Sequence, residues 1–155
     1  MTFEDCFAIV VGFEGGYVNN SADPGGETKY GISKRAYPGI DIPSLTMDHA
    51  RLIYLSDYWG PAGCDAVPDS IKLELFDMAV NAGVQSAIKC LQRAVGETQD
   101  GILGPLTLQA VQSMPPLRLV ARFSGIRLQK LTDLPTWGNF GKGWCRRIAA
   151  NLQNA

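Results

Sequence analysis

Apolar residues recur every three or four positions in most of this chain, and Gly and Pro break the pattern into segments. That spacing marks one face of a helix, and alternating strand-like runs are scarce. Phe3, Phe7, Val10 and Val11 share a face and predict a helix from about residue 2 to 13, stopped by Gly15 and Gly16. Residues 17–44 are rich in Gly and Pro and read as loops with a short hairpin. Thr46 has the position of an N-cap for a helix running through Tyr58, with Leu52, Ile53 and Leu55 as its buried side and Gly60-Pro61 as its end.

Pro68-Asp69-Ser70 opens the next segment, where Leu73, Phe76, Met78, Ala79 and Val80 leave little polar face. A helix apolar nearly all round is a central, buried one, and Gly83 stands where it should stop. Further helices are predicted over about 85–95, 106–112, 117–131 and 137–152. The fold class is therefore mainly α, with about seven helices and a small β element after Tyr17.

The length of 155 residues and a hydrophobic share of 46% suit one domain, or one with a small satellite. A net charge of −1 leaves no basic footprint for nucleic acid, so binding has to come from a shaped groove. No segment approaches the roughly 18 apolar residues of a membrane span. The N-terminus lacks the basic leader of a secretory signal, so synthesis in the cytoplasm is expected, with release or export delivering the protein to an external substrate. Cys6, Cys64, Cys90 and Cys145 have no C-x-x-C spacing and His49 stands alone, which argues for free thiols and against a structural zinc.

Glu14 follows Phe13 at the predicted helix end and precedes two residues without side chains. A bulky polymer could approach its carboxyl closely, and partial burial would raise its pKa. Asp23, Glu27 and Thr28 follow in a polar loop. Glycoside cleavage needs such a pair: an acid to protonate the leaving oxygen and a partner to stabilise the sugar cation or activate water. Taken alone, E-G-G is weak evidence: Glu14 reads as a surface charge beside a helix stop, and the alternative for Asp23 is a turn residue before Pro24.

The segment EGGYVNNSADPGGETKYGIS resembles the signature of the muramidases grouped as glycoside hydrolase family 108. The likeness extends to Leu55-Ser56-Asp57-Tyr58-Trp59, to Phe76-Asp77-Met78-Ala79-Val80-Asn81-Ala82-Gly83, and to the tail around Trp137, Phe140 and Trp144. It implies a lysozyme-like fold and hydrolysis of the β-1,4 bond between N-acetylmuramic acid and N-acetylglucosamine, with the family's catalytic glutamate at Glu14. The order Glu14, Asp23, Thr28 is similar to that of phage-type lysozymes, in which Asp and Thr position a water. Aligning Tyr30-Gly31-Ile32 with that group's turn brings Lys29 rather than Thr28 to the threonine position. The resemblance implies no metal and no cofactor.

Tyr17 and Tyr30 flank the loop and can stack on sugar faces; Tyr58 and Trp59 fit the core at least as well. Asn81 could reach the groove or end the buried helix, and Asp77 suits a packing role. Residues 90–107, with Gln92, Asp100, Gly101, Gly104, Pro105 and Thr107, resemble the helix-turn-helix of peptidoglycan-binding modules, which makes Asp100 and Thr107 candidates for wall contact. Trp137, Phe140 and Trp144 recur at helical spacing, a core pattern, and Arg146 and Arg147 fit either wall carboxylates or a solvated helix end. The expected organisation is a catalytic region over 1–84 and a peptidoglycan-binding helical subdomain over 85–155 packed on it. The expected protein is a monomeric muramidase acting on peptidoglycan strands, as a phage endolysin or a secretion-associated hydrolase. The alternatives are a lytic transglycosylase and a non-catalytic wall-binding protein.

Overall fold

The computed structural model describes residues 1–12, 16–19 and 26–154. Seven α-helices run in chain order among these residues: α1 (Phe3–Val11), α2 (Met47–Tyr54), α3 (Asp69–Ala82), α4 (Val84–Val95), α5 (Pro105–Ser113), α6 (Pro116–Thr132) and α7 (Trp137–Asn154). Two short strands, β1 (Thr28–Lys29) and β2 (Ile32–Ser33), pair antiparallel between α1 and α2. The architecture is mainly α with a small sheet after the first helix, as the periodicity predicts.

Helix α1 starts at a capping box: Thr2 Oγ1 accepts from the Asp5 amide at 3.2 Å and the Asp5 carboxylate accepts from the Thr2 amide at 2.8 Å. It ends earlier than expected. Gly12, at φ +67°, closes it by donating to Ala8 O, so the stop precedes Gly15 and Gly16. Aromatic packing then fixes its direction. Phe3 meets Trp59 and Phe76 edge-on with ring centroids 5.4 and 5.9 Å apart, and Phe7 meets Tyr54 at 5.4 Å.

The helix begun at Thr46 also differs from expectation. Its α-helical part ends at Tyr54, and Leu55–Trp59 form a single π turn closed by Gly60 N–H to Leu55 O at 2.9 Å. The wider turn brings Tyr54, Tyr58 and Trp59 onto one side, so Trp59 is buried against Phe3 and Phe76. The inward face is Ala50, Ile53 and Tyr54; Leu52 and Leu55 are exposed.

Helix α3 is the central one. Residues 73–79 are all buried, including two carboxylates, Glu74 and Asp77. The core around it continues from Cys6 to Phe123 and crosses the 84/85 boundary through Ala87, Leu91 and Leu119. Cys6, Cys64 and Cys90 are free and buried within it, and burial pushes the Cys6 and Cys90 thiols up to about 12; Cys145 is free and exposed.

The segment between α4 and α5 is organised by one side chain. Gln92, 1% exposed, donates through Nε2 to Asp100 Oδ1 (2.6 Å), Ile102 O (3.0 Å) and Thr107 Oγ1 (3.3 Å), and accepts from the Gly101 amide (2.9 Å). Gly101 sits at φ +81° and packs on Gln85, where a Cβ would come within 2.6 Å of that side chain. Gln92→Leu removes four hydrogen bonds from this turn and leaves the buried Thr107 hydroxyl without its Gln92 partner. It should destabilise the protein by about 3 kcal/mol, read as a lower urea midpoint with unchanged m-value.

Candidate active site

A cavity of about 400 Å³ opens between the end of α1 and the hairpin. It is lined by Val10 and Val11 of α1, by Gly16, Val18, Thr28 and Gly31 of the hairpin region, and by Tyr54, Val80, Asn81 and Arg147. The hairpin side is held by backbone pairing. Val18 and Thr28 exchange N–H···O bonds of 2.8 Å each, and β1 pairs with β2 through Thr28–Ser33 and Lys29–Ile32.

Tyr30 and Gly31 make the two-residue turn, at φ +51° and +76°. Positive φ at both central positions is what a type I′ hairpin turn requires. Tyr54 anchors this turn to α2 by donating its hydroxyl to Tyr30 O at 3.2 Å. A Cβ on residue 31 would lie 2.4 Å from that hydroxyl, so only glycine allows the approach.

The structure brings Thr28 and Asn81 to the cavity. Glu14 and Asp23 lie outside the described residues. Tyr17 and Tyr30 stand beside cavity residues but do not line it: Tyr17, 44% exposed, donates to Glu27 Oε1 at 2.8 Å, and Lys29 Nζ lies 5.5 Å from the Tyr30 ring centre. Thr28 Oγ1 makes a long 3.4 Å bond to Gly26 O. Asp100 and Thr107 are elsewhere, joined by Gln92 in a turn whose exposed face carries Ile102 and Leu106. Tyr58 shares its hydroxyl with Tyr37 at 3.3 Å, and Tyr37 donates to Asp57 Oδ2 at 2.9 Å.

Beneath the cavity lies a charge network. Asp77 Oδ2 accepts from Arg127 Nη2 at 2.5 Å; its Oδ1 accepts from Arg147 Nε at 2.6 Å and Asn81 Nδ2 at 3.3 Å. Arg127 Nη1 also reaches Glu74 Oε2 at 3.1 Å. Burial pushes the Glu74 carboxyl above its ordinary pKa, against the pull of Arg127. Ser124 stands near enough to oppose that rise, yet Glu74 Oε1 and Ser124 Oγ have no partner in hydrogen-bond geometry among the described residues.

The pattern along α7 gives no warning that Arg147 turns inward to Asp77. The available signal is its place beside Ile148 and three positions after Trp144, on the edge of the buried stripe. Asn81 and Arg147 form a saddle to a second cavity of about 290 Å³, lined by Met78, Leu131, Leu134, Lys130 and Trp144. Trp137, Phe140 and Trp144 form a half-exposed aromatic ridge instead of core, with Trp144 ring centroids 6.2 and 5.9 Å from the other two. The helix bearing them packs on α6 and α3 through Gly141, Ile148 and Asn151, which leaves the ring edges toward solvent.

Two substitutions test this construction. Gly31→Ala strains the backbone by at least about 1 kcal/mol and collides with Tyr54. It should therefore cost less stability in a Tyr54→Phe background, a coupling that denaturant titration of the double-mutant cycle measures. For Glu74, a folded pKa above the ordinary 4.5 means that the native state holds a proton the unfolded chain releases. Its stabilising contribution is full below that value and is lost as pH rises through the raised pKa. The stability of wild type relative to Glu74→Gln should therefore fall as pH climbs from about 4.5 toward neutrality, followed by urea unfolding across pH.

The family model described as glycosyl hydrolase 108 matches residues 7–83, the stretch that runs from α1 through the hairpin to the end of α3. Among solved structures, one titled "Structure of Brucella abortus SagA" is 34% identical, with a TM-score of 0.90 over 98% of this chain and 92% of that one. No curated protein matches. The shared fold is the mainly α, lysozyme-like one, and the matched domain is that of a glycoside hydrolase. Through residues 7–83, the chain belongs to the glycosyl hydrolase 108 family.

Proposed function

We propose that this chain is an N-acetylmuramidase that hydrolyses the β-1,4 bond between N-acetylmuramic acid and N-acetylglucosamine in peptidoglycan. Glu14 acts as the general acid, and Asp23, assisted by Thr28, orients the attacking water or stabilises the sugar cation. The observation that carries this reading is the family match, because residues 7–83 include Glu14, Asp23 and Thr28 and every groove-lining residue but Arg147. Thr28 and Asn81 both line that groove, to which Gly16 and Gly31 add no side chain. Acid and water suffice for the reaction.

Tyr17, exposed beside Val18, and Tyr30 at the hairpin turn are the proposed sugar-stacking residues. The turn that Asp100 and Thr107 build is the proposed wall contact, with its exposed Ile102 and Leu106 offering an apolar face. The enzyme acts on wall strands as a monomer after release or export, in a phage-lysis or a secretion setting.

The test is product analysis of digested peptidoglycan by mass spectrometry for wild type and Glu14→Gln. Wild type should release muropeptides with reducing ends, and the variant should lose at least about 10²-fold in rate at unchanged thermal stability. Anhydro ends would assign a lytic transglycosylase, and wall binding without solubilisation a non-catalytic protein. Full activity of Glu14→Gln would refute the role of that residue.

A further inference from the structure

We infer that Arg147 is a positioning residue for the glycan-cleaving groove: supplied by the last helix, it ties the C-terminal end of α1 to Asp77 of the central helix. The inference rests on the muramidase reading for its catalytic consequence and on the geometry for its physical content.

Helix α1 has no basic residue in its last turn. The partial negative charge at the C-terminal end of a helix favours a cation nearby. The cation comes from 137 residues away: Arg147 Nη2 reaches Val10 O at 3.5 Å. At that length the contact is chiefly a charge–dipole attraction. The other edge of the guanidinium is held firmly, with Nε 2.6 Å from Asp77 Oδ1. Asp77 is itself immobilised by Arg127 and Asn81, and its side chain is 1% exposed. Arg147 is thus a strut with a rigid foot on α3 and its tip on the last turn of α1.

The position of the strut gives it a role beyond packing. Val10, Val11, Asn81 and Arg147 all line the groove, and Arg147 also lines the adjoining cavity together with Asn81. Its side chain is 36% exposed, so it occupies the groove floor and not the core. Glu14 follows Val11 by three residues in the sequence. Whatever sets the spacing of the α1 end from α3 therefore sets the width of the groove at the place where the chain enters its acidic segment. A guanidinium can serve both ends because its donors form a planar fork, whereas an ammonium is a point charge that serves one end at a time.

The test compares Arg147→Met, Arg147→Lys and, as a control, Arg146→Met, whose exposed side chain lies outside both cavities. Each is assayed on a soluble peptidoglycan tetrasaccharide well below its own melting temperature, and by cosedimentation with purified walls. Arg147→Met should lower kcat about 10²-fold, the scale of a 1 Å misplacement, with KM and wall cosedimentation within twofold of wild type. Arg147→Lys should recover part of kcat, and Arg146→Met should match wild type. Amide hydrogen exchange should quicken at residues 8–12 in Arg147→Met while the amides of α5 stay protected.

Unchanged kcat with reduced cosedimentation would overturn the inference in favour of wall binding. Equal loss in both arginine variants, or kcat falling only in proportion to the unfolded fraction, would also overturn it. If wild type leaves the tetrasaccharide intact, the muramidase reading fails, and the exchange measurement alone decides the strut: unaltered exchange at residues 8–12 would sink it.

Discussion

A stretch of helix buried on every side has nowhere to put a charge, and residues 73–79 of α3 carry two. Glu74 and Asp77 sit in the middle of the core, where an unpaired carboxylate is prohibitively costly. They are tolerable because Arg127 of α6 lies between them and Arg147 of α7 reaches the second. Replacing such a pair by apolar residues is often harmless, whereas removing one partner costs about 3–5 kcal/mol. The architecture is thereby constrained: α6 and α7 must dock on α3 in a fixed register, or the carboxylates stay bare. The same register brings Asn81, one turn beyond Asp77, to the groove.

This constraint joins the two halves that the motifs suggest. The family match ends at residue 83, yet the core and the charge network continue through α4, α6 and α7. The groove is lined from α1, the hairpin, α2, α3 and α7. The last of the helices beyond the matched stretch is therefore also scaffolding for the cleft.

Much of the fold could be read from the chain because it is written in local patterns. Seven helices follow from three-and-four spacing interrupted by Gly and Pro, and Thr46 caps α2 through its hydroxyl as its residue type predicts. What escaped was set by distant contacts. The π turn at Leu55–Trp59 depends on Trp59 finding Phe3 and Phe76, and no residue within the turn announces it. The aromatic spacing on α7 suggests a core stripe, but Gly141, Ile148 and Asn151 take that position. At the candidate site, Thr28 and Asn81 were legible from motif resemblance. Arg147 was not, since its meaning depends on Asp77, seventy residues earlier.

The chain order of the network has a consequence for synthesis. Glu74 and Asp77 leave the ribosome well before Arg127, and Arg147 follows twenty residues after that. A nascent chain lacking α6 and α7 holds carboxylates without counter-ions in its central helix, together with an open cleft floor. Cooperative closure must wait for the final helix, and contacts of such long sequence separation form late and slowly. A chain that has not yet made α7 would thus be a latent precursor, its cleft completed only when Arg147 docks on Asp77.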